Sequence, residues 1–261
     1  DQHRGGMTME EMPVLHTKWC GKHWIHLDEV ASTNDYLKQG DFADGTAVIA
    51  DRQTAGKGRQ GKSWSEAPVG QAMYLSVLFH SMKISDMGLL PLLCGLATAR
   101  SLGAAARIKW PNDVLLGEKK VCGILCESKI QGGKVSAVCG MGINLCQDED
   151  FFIQNNLPHA TSLLAFDGQR RTAQEAAVLL LEELEPILEQ YRQEGFSPFA
   201  ASYCDRCVTL GRQVRVIRGQ QEVTAQAISI APDGGLICQK AGENFVIRAG
   251  EASVRGLYGY V

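Results

Sequence analysis

The sequence predicts a two-part α/β chain, a large domain of mixed strands and helices followed by a small β-barrel. Three observations carry that reading. From Trp24 onward, short apolar strand-like runs alternate with helical stretches. A capped amphipathic helix opens at Thr172. Beyond Gly211 the pattern changes to short alternating segments separated by turn residues. The 261 residues are 45 % apolar and 21 % charged, an ordinary globular balance with enough chain for a buried core.

Taken in order, Asp1 to Gly6 read as a cloning remnant ahead of Met7, and residues 1–22 as an N-terminal extension. Trp24-Ile25-His26-Leu27 predicts a first strand. Ser32-Thr33-Asn34 can cap a short helix that continues through Leu37. Ala47-Val48-Ile49-Ala50 is a short apolar strand, and residues 72–79 read as a buried one. Residues 86–102, rich in Leu, Ala and Gly, suit a buried helix that Pro91 either kinks or opens. Strand-like runs follow near residues 107–110, 114–116, 121–127 and 135–144.

Thr172-Ala173-Gln174-Glu175 forms a capping box, in which hydroxyl and carboxylate satisfy two otherwise unpaired N–H groups. Leu180, Leu181, Leu184, Ile187, Leu188 and Tyr191 give the helix one apolar face; Gly195 ends it, and Pro186 predicts a bend. Val214 and Val216, residues 223–230, 236–238 and 245–247, and Val254 then mark five short strands. Pro232-Asp233-Gly234-Gly235 is the clearest hairpin signal among them. The expected division is a larger domain at 23–208 and a barrel at 209–261.

The net charge of −3 excludes a global nucleic-acid footprint. Nine cysteines, without paired C-x-x-C spacing, give no zinc pattern, so no metal site is expected. Cys122, Cys126 and Cys139 sit in apolar runs and read as buried small hydrophobes of a reducing cytosol; Cys204 and Cys207 form a lone, weak C-x-x-C. No apolar run reaches the length of a membrane span, and the expected location is cytoplasmic.

The chemistry concentrates in Gly56-Lys57-Gly58-Arg59-Gln60-Gly61-Lys62-Ser63-Trp64. Three glycines allow turns that bring successive N–H groups onto an anion, and Lys57, Arg59 and Lys62 add charge-assisted hydrogen bonds. A mobile, solvated basic loop is the plain alternative. The stretch also matches the phosphate-loop pattern G-x-x-x-x-G-K-[ST], which requires a helix starting at Lys62-Ser63. Pro68 and Gly70 argue against that helix, since they cost about 3 and 1 kcal/mol inside one. A second cluster is Lys109-Trp110-Pro111-Asn112-Asp113 with Lys119-Lys120 and Gly123; alone it reads first as a hairpin turn with Gly117-Glu118 at its tip. A third, Gly140-Met141-Gly142-Ile143-Asn144, marks either a close ligand approach or a β-bulge.

Together, and in this order with Ser32-Thr33-Asn34 and Gln53 ahead of them, these motifs make the chain resemble the biotin protein ligases. The likeness runs from about Trp24 to Val254. It implies an α+β fold: a catalytic domain like that of class II aminoacyl-tRNA synthetases, then an SH3-like barrel. It also implies ATP and Mg²⁺, with biotin as substrate and a biotin carboxyl carrier protein of a carboxylase as acceptor. By the resemblance, Ser32, Thr33, Asn34, Gln53, Lys57, Gly58, Arg59, Lys120, Gly123 and Gly140 line the biotin site. Lys57, Arg59, Lys62, Trp64, Asn112, Asp113 and Asn144 serve ATP, with Trp64 against the adenine and Asn144 at its edge. Arg59 and Lys120 are the expected catalytic pair, with Mg²⁺ on the phosphates held by few protein ligands.

Some relatives carry a DNA-binding domain ahead of the catalytic one. Only 31 residues precede Ser32, 25 of them after the Asp1–Gly6 stretch, so the expectation is a form without it and without DNA as a partner; monomer and homodimer both remain open. Two positions depart from the family pattern. Lys57 stands where arginine is common, which loses a bidentate fork, and Ala72-Met73 replaces Asn-Leu before Tyr74. A lipoate or octanoate ligase is the nearest chemical rival, and a phosphate-loop NTPase the rival from another class.

Overall fold

The computed structural model describes residues 12–64 and 66–261; the Asp1–Gly6 stretch lies outside them. The first sheet has seven strands: β1 (Trp24–Val30), β2 (Ala47–Gln53), β3 (Ala72–Met82), β4 (Arg107–Lys109), β5 (Asp113–Leu116), β6 (Lys119–Gln131) and β7 (Lys134–Asn144). Their spatial order is β1-β2-β3-β7-β6-β5-β4. Only β1 and β2 run parallel; every other pairing is antiparallel. Six helices accompany the strands: α1 (Thr33–Gln39), α2 (Leu90–Leu102), α3 (Glu149–Gln154), α4 (Leu163–Asp167), α5 (Ala173–Glu194) and α6 (Ala200–Arg206).

Alternation along β3 and β7 decides which face becomes core and which becomes site. Met73, Leu75, Val77 and Phe79 of β3, with Cys139, Met141 and Ile143 of β7, join the main core with α2 and α5. The intervening positions face the other way. There Leu78 and Val138 pack under Leu37 of α1, while Ser76, Gly140 and Gly142 are the small residues of that face. A slip of one residue in register would bury the wrong set, so the apolar pattern itself fixes the pairing.

The capping box at Thr172 and Glu175 is formed, and Gly195 ends α5 with φ +75°. The helix runs unbroken through Pro186. Its leucines at 180, 181, 184 and 188 are buried, each contributing roughly 1.5–3 kcal/mol of apolar burial. Glu185, also buried, accepts from the backbone N–H groups of Lys18, Trp19 and Cys20 at 2.7–2.9 Å and so ties the N-terminal segment to the helix. Pro91 occupies the first turn of α2, where its missing N–H costs nothing, so it opens that helix.

The second sheet comprises β8 (Gln213–Arg218), β9 (Gln221–Ile230), β10 (Leu236–Lys240), β11 (Glu243–Ile247) and β12 (Ser253–Gly256), in the order β11-β10-β9-β8-β12 and antiparallel throughout. The expected α+β architecture is therefore what the chain adopts, with a C-terminal antiparallel β-unit after the mixed sheet. Trp110, fully buried, donates its indole N–H to the carbonyl of Gly234 and joins the two units. All nine thiols are free; Cys94, Cys126 and Cys139 converge in the core with their sulfurs within 4.8 Å of one another. No helix among the described residues is long and apolar enough to cross a membrane.

Candidate active site

The glycine-rich stretch closes on itself as a narrow loop. Lys57 and Ser63 bridge across it, Trp64 N–H donates to Gly56 at 2.9 Å, and Gly58 N–H donates to Lys62 at 2.6 Å. At its tip Gln60 and Gly61 have φ +55° and +73°, the left-handed region that glycine enters without penalty. No helix starts at Lys62-Ser63, so the phosphate-loop geometry is absent despite the pattern match.

Trp64, at the loop's exit, lies on the small-residue face of the sheet. β6 and β7 pair Gly123 with Gly142, and Leu125 with Gly140. A Cβ on Gly123 would stand 2.4 Å from the Trp64 ring, and one on Gly142 3.1 Å from it. A Cβ on Gly140 would stand 2.4 Å from Asn34 Oδ1. The glycines thus form a flat platform on which an indole and an amide rest, and this close approach, rather than a bulge, explains them.

Beside the platform, Ser32 caps α1 by accepting from Asp35 N–H at 3.2 Å. Thr33 donates its backbone N–H and its hydroxyl to Gln53 Oε1 at 2.9 and 3.2 Å. Asn34 donates to the Leu125 carbonyl and to Glu127, while its own oxygen accepts from Ser76 at 2.6 Å. Ser32, Thr33 and Asn34 are all buried, so their polar atoms are held by this network rather than by water. A cavity of about 60 Å³ is lined by Ser32, Thr33, Asn34, Gln53, Lys57 and Gly58, together with Arg59, Trp64, Asn112, Lys120, Gly123, Gly140 and Gly142. All ten residues expected at the biotin site are among them.

A second cavity of about 200 Å³ lies on the far side of Trp64 and Lys120. Gly58, Arg59, Lys62 and Trp64 line it from the loop, Lys109, Asn112, Asp113 and Lys120 from β4 to β6, and Ser253, Val254, Arg255 and Tyr260 from the C-terminal unit. Gly117 and Glu118 (φ +57° and +63°) form the tight turn joining β5 to β6, so the plain hairpin reading of this segment is also correct. The hairpin sets Lys120 Nζ 3.0 Å from Asp113 Oδ1 and 5.2 Å from the Trp64 ring. Burial pushes the Asp113 carboxyl up, but Lys120, Lys109 and a hydrogen bond from Tyr260 outweigh it and hold the group below the usual carboxylate range. Burial pulls the Lys109 ammonium down to about 8 against the attraction of Asp113. Arg59 donates to Asn112 Oδ1 at 3.2 Å and to the Ala249 carbonyl, so the loop is tied to the C-terminal unit. Burial lowers its pKa, with Asp113 opposing.

Two expected residues are placed differently from the rest. Lys57 lines only the first cavity, at its rim, half exposed and paired with Asp35 at 2.7 Å. Asn144 lines neither cavity: its amide donates to the Thr161 carbonyl at 3.1 Å and its oxygen accepts from Gln147 at 2.9 Å. Ser76, Gly142, Lys109 and Tyr260 are site residues that the sequence reading did not assign. Ser76 had a signal, a lone hydroxyl in the apolar run 72–79, whereas Tyr260 had none.

Residues 27–144 match the biotin/lipoate A/B protein ligase family, and residues 209–255 match the biotin protein ligase C terminal domain. The biotin--[acetyl-CoA-carboxylase] ligase of Mycobacterium tuberculosis is 34 % identical over 248 residues, spanning 89 % of this chain and 90 % of that protein. The chain belongs to the biotin protein ligase family. Within that family, the bifunctional ligase/repressor BirA of Escherichia coli is 32 % identical over 240 residues, covering 88 % of this chain and 73 % of its own length. The solved biotin protein ligase from Aquifex aeolicus, in complex with biotin and ATP, superposes with a TM-score of 0.79 at 31 % identity, covering 90 % of this chain and 99 % of that one.

Proposed function

We propose that the chain is an ATP-dependent biotin protein ligase whose two cavities hold the two reactants on either side of Trp64 and Lys120. The enzyme activates biotin as biotinyl-5′-AMP and transfers it to a carrier lysine. One observation carries the assignment of residues: a cationic loop and Lys120 converge where the two cavities share a wall.

In the first step a carboxylate oxygen of biotin attacks the α-phosphorus of ATP, and pyrophosphate leaves. Both reactants are anionic, so repulsion is the barrier to relieve. Lys120 and Arg59 line both cavities and can neutralise charge on both. The amide and hydroxyl network of Thr33, Asn34, Gln53 and Ser76 suits the ureido ring, which offers N–H donors and a carbonyl acceptor. Trp64 lines the first cavity from its place on Gly123 and Gly142, within reach of a ligand held there. Trp64 is then a wall common to both ligands rather than a partner of the adenine alone.

In the second step the lysine amine attacks the acyl carbon, the bond to the phosphate oxygen breaks, and AMP departs with the charge. Asp113 is a poor base for that amine, because a carboxylate held below its usual range binds protons weakly. It serves instead to orient Lys120. Among the described residues Asp113 is also the one carboxylate lining either cavity, and both its oxygens are engaged by Lys120 and Tyr260. These residues do not form a protein-held Mg²⁺ site, and Mg²⁺ in this reading travels on the nucleotide phosphates.

The acceptor in this reading is a biotin carboxyl carrier protein, and the compartment the cytoplasm, in keeping with nine free thiols. Residues 23–208 act as the catalytic unit and 209–261 as the barrel, with no role for DNA. Biotin-dependent exchange of pyrophosphate into ATP tests the function. Exchange with biotin and none with lipoate is the expected result. Exchange supported by lipoate, or ATP hydrolysis to ADP without biotin, would overturn it.

A further inference from the structure

Residues 257–261 follow the last strand and lie outside both matched family segments. They double back because Gly256 permits it: a Cβ there would stand 2.0 Å from the Val261 carbonyl oxygen, and the Gly256 N–H donates to the Tyr260 carbonyl. The turn treats two tyrosines oppositely. Tyr258 is 98 % exposed, whereas Tyr260 is 8 % exposed and lines the larger of the two site cavities.

The Tyr260 side chain meets three residues that line the same cavity, Asp113, Lys109 and Arg255, and one that does not, His159. Its hydroxyl donates to Asp113 Oδ2, the oxygen that Lys120 does not take. Lys109 Nζ sits 4.0 Å from the ring centroid, a cation–π contact. On the ring also lies His159, stacked at 5.4 Å and 18°. The backbone carbonyl of His159 accepts from the Lys120 N–H at 2.7 Å, so the same neighbour also anchors the strand that carries Lys120.

We propose that Tyr260 is a positioning residue for adenylation: its hydroxyl locks the Asp113 carboxylate in the orientation that aims Lys120 between the cavities, and its ring seats Lys109. This rests on the functional reading above and extends it to the last segment of the chain. A carboxylate with one hydrogen-bonded oxygen and one free oxygen can rotate about its terminal bond; with both oxygens held it cannot, and Lys120 inherits that fixed geometry. A simple structural latch between the two units would hold the same contacts but leave the chemistry of Asp113 indifferent to the hydroxyl.

The test uses the full chain and compares Tyr260→Phe, which keeps ring and cation–π contact, with Tyr260→Leu, which keeps neither. Biotin-dependent pyrophosphate exchange is followed against biotin, ATP and pH, alongside thermal unfolding. For Tyr260→Phe we expect kcat to fall about tenfold or more, as befits losing a hydrogen bond to a charged group, with KM for biotin within about twofold. The acidic limb of the rate profile should rise in pH, because a hydrogen bond to the ionised carboxylate holds its proton affinity down. The charged and titratable groups facing Asp113 or the ring are Lys109, Lys120, Arg59, Arg255 and His159, all unchanged in the variant. Tyr260→Leu should add a rise in KM for ATP. An active wild type with a Tyr260→Phe variant equal to it in kcat and acidic limb would overturn the role. So would a loss matched by an equivalent loss of folded protein. A wild type without any biotin-dependent exchange would instead overturn the functional reading, and this role with it.

Discussion

The two sides of the site are built by different means. The side proposed for biotin is a patch of one sheet face, in which Gly123, Gly140 and Gly142 lie on two paired strands and α1 lays Ser32, Thr33 and Asn34 beside them. The side proposed for the nucleotide gathers a loop, a hairpin and two pieces of the C-terminal unit, held by Arg59 to the Ala249 carbonyl, Trp110 to Gly234 and Tyr260 to Asp113. A surface made by strand pairing inherits the rigidity of the ladder. A surface made by tethered segments is only as fixed as its hydrogen bonds, and it can open where those bonds are few. The first side therefore suits recognition of one small rigid molecule, and the second suits a nucleotide that must enter and an intermediate that must be handed on.

The comparison can be broken most severely at the shared wall. Lys120→Ala removes one of the two cations common to both sides and breaks the ion pair with buried Asp113; biotin-dependent exchange should fall by about 10²–10³. A loss of less than about fivefold would show that Lys120 is not where the charge is met. On the rigid side, Gly140→Ala places a Cβ 2.4 Å from Asn34 Oδ1, and the sheet gives little room to absorb it. Calorimetry should show biotin binding weakened by about tenfold or more, with melting little changed; unaltered affinity would mean the platform is not the biotin floor.

On the tethered side, Arg59→Gly cuts the loop from Asn112 and the C-terminal unit. The variant should release its acyl-adenylate about tenfold faster, read as biotin on bystander lysines of an added protein. Biotinylation confined to the carrier would refute containment by this loop. Lys109 gives a pH signature of the same side. Its pKa is lowered to about 8 in the folded chain, against about 10.4 when unfolded, so between these values the unfolded state binds more protons. Stability should therefore rise with pH across about 8 to 10, by at most roughly 1.4 kcal/mol per pH unit, and Lys109→Met should remove that component in denaturant titrations. The smallest effect belongs to the rim. Lys57→Ala breaks a solvent-screened pair with Asp35 and should leave the thermal unfolding midpoint unchanged within the error of the measurement.

Particular residues show how far the sequence could be read. The capping box at Thr172, the hairpin at Gly117-Glu118 and the failure of the phosphate-loop helix after Ser63 were legible because each depends on neighbours in the chain. The ten residues proposed for biotin line one cavity because their motifs lie on paired strands and the segments beside them, so that order in the chain becomes adjacency in the fold. Asn144 shows the reverse: it belongs to a motif, yet its amide is spent on Thr161 and Gln147. Ser76 and Tyr260 carry no local mark of their partners, which lie 42 and 147 residues away in the chain.

Alone, the sequence determined the strands and the helices α1, α2 and α5, the apolar face of each strand and the cationic glycine loop, because alternation, capping and glycine's missing Cβ act over a few residues; the short helices α3, α4 and α6 were not read from it. Only the tertiary structure decided that the indole of Trp64 rests on Gly123 and Gly142, and that a tyrosine beyond the last strand completes the charge network around Lys120. Those contacts join segments far apart in the chain, and their geometry exists only once the two sheets have packed against each other.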